Sequence, residues 1–188
     1  VNIKPDTDIY KYESFPKNAA AQMHALTQVL RKRVQRYPVN IPVFAAASME
    51  DMTANPEATL EFMRHASNDN NKLILYTTHT DKLPEGFSQE NLEWVNSSVP
   101  PGIISSAHTA VVLPPDDPHY GIGGEYSNCI HYYPHDMRKF NACSSGNNRV
   151  LYGEITSENL SRCIVRRLMT NPYYPRLLSS LKSFIQCL

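Results

Sequence analysis

Asp51 and His108 have the residue types and the chain order for acid–base chemistry. A carboxylate can hold an imidazole in one tautomer and stabilise its cation, and the imidazole can then take a proton from a nucleophile. Asp51 falls just beyond Ile41–Ala47, an apolar run that reads as a buried parallel strand. The carboxyl ends of such strands are where open α/β sheets gather ligands and catalytic groups. On position alone, a turn or a helix cap is the simpler role for Asp51, and Glu50 is a competing carboxylate at the same turn. His108 lies in Ser105-Ser-Ala-His-Thr-Ala110, whose small side chains would let an imidazole reach a cleft. His79, directly after a second strand, is its main rival as the base. His24 and His65 fall within helical patterns and read as surface or packing residues.

An acid and a base imply a nucleophile, and no Gly-x-Ser-x-Gly elbow occurs in the 188 residues. Where such an elbow is used, the order runs serine, acid, histidine. The serine should therefore precede Asp51, but only Ser14 and Ser48 do, and neither sits in a glycine-bounded turn. Ser144-Ser145-Gly146 follows the histidine and has the wrong context. The chain alone is expected to be catalytically incompetent. His119, Cys129, His131 and His135 are zinc-ligand types crowded into one segment. Pro134 blocks a helical His-x-x-x-His presentation there, so a tyrosine-rich covering loop is the simpler reading, and no metal or cofactor is expected.

The elements that must position these groups follow from periodicity. Ala19, Met23, Leu26, Val29, Leu30 and Val34 recur at helical steps over 18–36, with Asn18 as a candidate cap and Tyr37-Pro38 as the stop. Asn55-Pro56-Glu57 opens a second helix that runs to about Ala66. Lys72–Thr77 reads as a second buried strand, so 18–77 spell helix, strand, helix, strand and point to a parallel α/β sheet. Beyond Thr78 the signals weaken. Gln89–Val95 has a faint helical pattern, and 102–113 has some strand character. Residues 114–153 read as a large covering loop, and Ser157–Met169 and Pro175–Cys187 as two terminal helices. Residues 1–17 read as an extended approach segment, 18–113 as the helix-strand and histidine segment, and 154–188 as the terminal part of one complete or partial domain. Two parallel strands cannot make a covered sheet, so further strands are expected upstream.

Bulk properties narrow the partners. Lys plus Arg equals Asp plus Glu at 18 each, so no net field draws the chain to nucleic acid or an anionic membrane. No apolar run approaches the ~20 residues that span a bilayer, and the opening residues lack the pattern of a signal peptide. A cytoplasmic location is favoured slightly over a processed, exported one. Arg162, Arg166, Arg167, Arg176 and Lys182 read as a solvated helix face. Cys129 and Cys143 flank a loop rich in proline, glycine and tyrosine that a disulfide could pin. Asn96-Ser-Ser98 and Asn159-Leu-Ser161 match the glycosylation sequon, a pattern too frequent by chance to carry weight.

Three stretches together, Lys11-Tyr-Glu-Ser-Phe-Pro-Lys-Asn18, Pro42-Val-Phe-Ala-Ala-Ala-Ser-Met-Glu-Asp51 and Ser106-Ala-His-Thr-Ala-Val-Val-Leu-Pro-Pro-Asp-Asp-Pro-His-Tyr-Gly121, resemble the bacterial α/β-hydrolases of the serine aminopeptidase and lysophospholipase-like group. The resemblance covers nearly the whole chain but only the C-terminal part of that family's domain. It implies an α/β fold of parallel strands with flanking helices and a long loop excursion. Asp51 would be the triad acid and His108, in its His-Thr-x-x-x-x-Pro setting, one residue longer than the family's His-Thr/Ser-x-x-x-Pro, the triad base. Ester or acyl hydrolysis of a small-molecule or lipid ester is implied, with the nucleophilic serine on an N-terminal half outside this chain. The competing reading is a non-catalytic interaction domain derived from a hydrolase fold, which the missing elbow favours.

Overall fold

The computed structural model describes residues 8–10, 16–79, 84–146 and 149–188. It forms two compact units, Val1–Val39 and Asn40–Leu188. The first holds α1 (Lys17–Arg36), whose N-cap is Pro16 rather than the expected Asn18. Tyr37 closes α1 by donating its backbone N–H to the Arg33 carbonyl at 2.8 Å. The apolar stripe expected on this helix is present, yet no residue of α1 is buried, and Met23, Leu26, Val29 and Leu30 are exposed. Most of the expected approach segment lies outside the described residues.

The second unit is mixed α/β, with parallel strands in two small sheets and flanking helices. The first sheet orders β1 (Phe44–Ser48), β2 (Lys72–Thr77) and β3 (Leu92–Asn96), all parallel. Helix α2 (Pro56–His65) makes the crossover between β1 and β2, and Asn55 caps it as the sequence suggests, accepting from the Glu57 N–H at 3.0 Å with Pro56 at the first position. Side chains alternate across a strand, so β2 feeds two cores. Leu73 and Leu75 join Leu60, Met63 and Leu92 on one face. Ile74 and Tyr76 join Val95, Val111 and Leu177 on the other. Leu177 belongs to α5 (Tyr174–Gln186), whose Arg176 and Ser180 both donate to the Glu93 carboxylate on β3.

Strand β3 replaces the helix expected near Gln89–Val95. Leu92 and Val95 are three apart, which resembles helical spacing, but in the strand that interval sends them to opposite faces, into the two separate cores. The terminal region also differs from expectation. Ser157–Met169 is not one helix: α4 (Ser157–Arg162) stops at Cys163, and β5 (Ile164–Arg167) pairs in parallel with β4 (Val150–Gly153). The β-branched pair Ile164-Val165 suits a strand, and pairing with β4 prevails over the helical periodicity. Residues 114–153 are not a plain loop either. They contain a 3-10 turn at Ile130–Tyr132, helix α3 (Met137–Ser145) and β4, and a Cys129–Cys143 disulfide staples the turn to α3. The strand character of 102–113 is confined to a bridge between Ile103 and Tyr152.

The basic cluster is dispersed rather than forming one solvated helix face. Arg166, on β5, is buried, donating to the Cys143 and Ser144 carbonyls and lying 5.6 Å over the Tyr152 ring. Arg176 binds Glu93, and Arg162 pairs with Glu158 in the open.

One buried side chain joins the strands to the chain beyond His108. Asn171 donates Nδ2 to the Tyr76 hydroxyl at 2.7 Å and to the Val111 carbonyl at 2.9 Å, and its Oδ1 accepts the Tyr173 N–H at 2.8 Å. Asn171 is fully buried, so truncation leaves several polar atoms unpaired away from water, at about 1–3 kcal/mol each. Asn171→Ala should lower unfolding free energy in urea by at least ~2 kcal/mol; a change within experimental error would show that the Asn171 bonds do not hold the fold.

Candidate functional site

Asp51 stands three residues beyond β1, and Glu154 directly follows β4. The carboxyl ends of the two parallel sheets thus meet at His108, which opens a 3-10 turn at His108–Ala110. The His108 Nδ1 lies 3.5 Å from Asp51 Oδ1 and 3.6 Å from Glu154 Oε2. Both distances are slightly long for hydrogen bonds. The Asp51 side chain is only 7% exposed and that of Glu154 not at all, whereas the His108 ring is 29% exposed. Its Nδ1 edge is buried, with no hydrogen-bond partner among the described residues.

Each group is held by local bonding. Asp51 Oδ1 accepts the Thr53 and Ala54 N–H groups at 2.7 and 2.9 Å, so the residue fills the turn-capping role and faces the histidine as well. Glu50 does structural work instead: its Oε1 accepts the Thr77 hydroxyl and the Thr78 amide and hydroxyl, tying the ends of β1 and β2. His79 is exposed and does not join the cluster. Behind His108, Thr109 Oγ1 donates to the Leu168 carbonyl at 2.7 Å, and the Asn171 amide donates to the Leu113 carbonyl at 2.7 Å.

The sequence reading missed Glu154. Its backbone N–H donates to Ser105 Oγ at 2.9 Å, its Oε1 accepts the Ile155 N–H at 2.7 Å, and Arg167 Nη2 sits 3.3 Å from Oε1. Gly153 lets this strand end approach: a Cβ there would fall 2.7 Å from Ser105 Oγ and 2.8 Å from Ile104 Cγ1. Burial alone would raise the Glu154 carboxyl, but the facing His108, the Arg167 guanidinium and the Ile155 amide outweigh it and hold the group below the usual glutamate range. The one available sequence signal was a carboxylate at the end of Val150-Leu-Tyr-Gly153, hidden because that strand read as loop.

Asp51, His108 and Glu154 are the one group of three or more metal-ligand types within reach of each other among the described residues, their ligand atoms lying within 4.8 Å. A cation bound there would compete with Arg167 for Glu154 and would occupy the histidine nitrogen that faces the carboxylates. His119, His131 and His135 do not converge. His131 Nε2 contacts the Val165 carbonyl at 3.1 Å, and His119 Nδ1 faces Glu125 at 3.2 Å. No helix of the described residues is long and apolar enough to cross a membrane. No protein-family model, curated protein or solved structure matches the chain.

The lowered Glu154 carboxyl fixes a sign for acid stability. The folded state binds this proton more weakly than the unfolded chain, so the stabilisation is complete above the unfolded glutamate value of about 4.3 and is lost as pH falls through the lower folded value. Urea unfolding from about pH 6 down to about pH 3 should therefore show a steeper loss of stability for the unaltered protein than for Glu154→Gln. Parallel slopes would contradict a charged, paired Glu154.

Proposed function

We propose that this chain supplies the acid and the base of a serine hydrolase acting on an ester or other acyl bond. The observation that carries the reading is the His108 ring, its Nδ1 edge buried against Asp51 and the ring itself partly open. In this role Asp51 keeps the proton on Nδ1, leaving Nε2 as the base. Nε2 takes the proton of a serine hydroxyl as that oxygen attacks the acyl carbon, and returns it to the leaving oxygen as the tetrahedral intermediate collapses. Water, deprotonated in turn by Nε2, then cleaves the acyl-serine. The nucleophile and the backbone donors of an oxyanion hole come from residues other than these.

The three-stranded sheet, with the acid after its first strand and the histidine after its third, supports reading the unit as the C-terminal part of an α/β-hydrolase fold. Strand β1 has β2 as its one partner among the described strands, which leaves an edge for further strands of the half that bears the serine. The substrate class is a small-molecule or lipid ester. The His119, Tyr120 and Tyr126 rings of the covering segment pack on one another with centroids 4.6–5.8 Å apart, and the His119 and Tyr126 rings are buried.

Hydrolysis of p-nitrophenyl esters by the native protein tests the proposal. His108→Gln should lower kcat by at least about ten-thousand-fold and Asp51→Asn by a smaller factor, because Glu154 still faces Nδ1 in that variant, with KM little changed. A folded native protein that hydrolyses no ester, or variants within a few-fold of the unaltered enzyme, would favour the interaction-domain reading.

A further inference from the structure

Two carboxylates face one ring nitrogen, and their surroundings differ. Asp51 Oδ1 already accepts two backbone amides, from Thr53 and Ala54. Glu154 commits its Oε1 to the Ile155 amide and Arg167. Its Oε2 is buried and lacks a hydrogen-bond partner among the described residues, as does His108 Nδ1, 3.6 Å away. A fully buried carboxylate oxygen is costly unless a donor or a positive charge faces it, and His108 is the group placed to supply either.

We infer that Glu154 is a second acid for His108, a positioning residue that shares the Nδ1–H with Asp51 and fixes the imidazole with Nε2 unprotonated. The inference rests on the hydrolase reading. The charge balance supports it. Two carboxylates and the Arg167 guanidinium leave one uncompensated negative charge beside a neutral imidazole, and protonation of that imidazole cancels it. The cluster is neutral when His108 carries the proton taken from the nucleophile, the state that electrostatic preorganisation should favour. Glu154 is held for this task by Ser105, Ile155 and Arg167, and the close approach of Gly153 to Ser105 sets its depth. With Nδ1 nearly equidistant from Asp51 and Glu154, a shift of a few tenths of an ångström brings the N–H into hydrogen bonding with either.

Nitrogen-15 NMR of the histidine-labelled protein at neutral pH reads the tautomer directly, with His108 assigned by the signals lost in His108→Gln. The unaltered protein should show one neutral form protonated at Nδ1. Glu154→Gln should give a mixture of tautomers, Glu154→Asp should restore much of the original form, and Glu154→Gln combined with Asp51→Asn should shift the majority to Nε2–H. A Glu154→Gln spectrum like the unaltered one, with a marked change in Asp51→Asn, would overturn the inference and leave the hydrolase reading standing. No change even in the double variant would remove the acid–histidine pairing, and the proposed function with it. Should a variant fail to fold, the unaltered protein still decides: the Nδ1–H should show nuclear Overhauser contacts to the Glu154 γ-protons as well as the Asp51 β-protons, and contacts to Asp51 alone would contradict the role given to Glu154.

Discussion

A carboxylate with no solvent exposure, Glu154, is the constraint around which the second unit is arranged. Such a charge persists in a protein interior only when donors and an opposite charge surround it. Here the Ile155 amide and Arg167 hold one oxygen, while His108 faces the other. The network requires β4 and β5 to be in register, because Glu154 follows the last residue of one strand and Arg167 ends the other. It also requires Ser105 to sit against Gly153, which brings the segment before His108 onto the edge of β4.

The three-stranded sheet serves the same centre from the other side. The turn after β1, held by Glu50 and by the Asx-type bonds of Asp51, delivers the first carboxylate. The residues after His108 are fixed by Thr109 and Asn171, so the imidazole is held on both flanks by backbone that cannot shift without exposing buried polar atoms. All three side chains come from short turns or strand ends anchored to the sheets, Asp51 and Glu154 just past β1 and β4 and His108 in a 3-10 turn.

What the sequence made legible was the part governed by strong local signals. Strands β1 and β2 and helix α2 were readable because continuous apolar runs and an Asn-Pro-Glu start leave little choice; position alone favoured a turn cap for Asp51, and its 3.5 Å approach to His108 is visible only in the fold. The elements that went unread are those that tertiary pairing decides. Leu92 and Val95 mimic helical spacing, Ile164 and Val165 adjoin a helical run, and Val150–Gly153 is too short to announce itself. Glu154 was illegible for the same reason: its meaning depends on a strand that exists only through its pairing with β5 and the bridge at Ile103.

The central claim is that His108 serves a nucleophilic serine, and intact-mass analysis of the native protein after treatment with a fluorophosphonate tests it most directly. The account predicts a single covalent adduct on a serine outside these 188 residues, in material that contains this chain, and no adduct when His108 is replaced by Gln. A folded native protein that acquires no adduct, or one labelled equally well without His108, would contradict it.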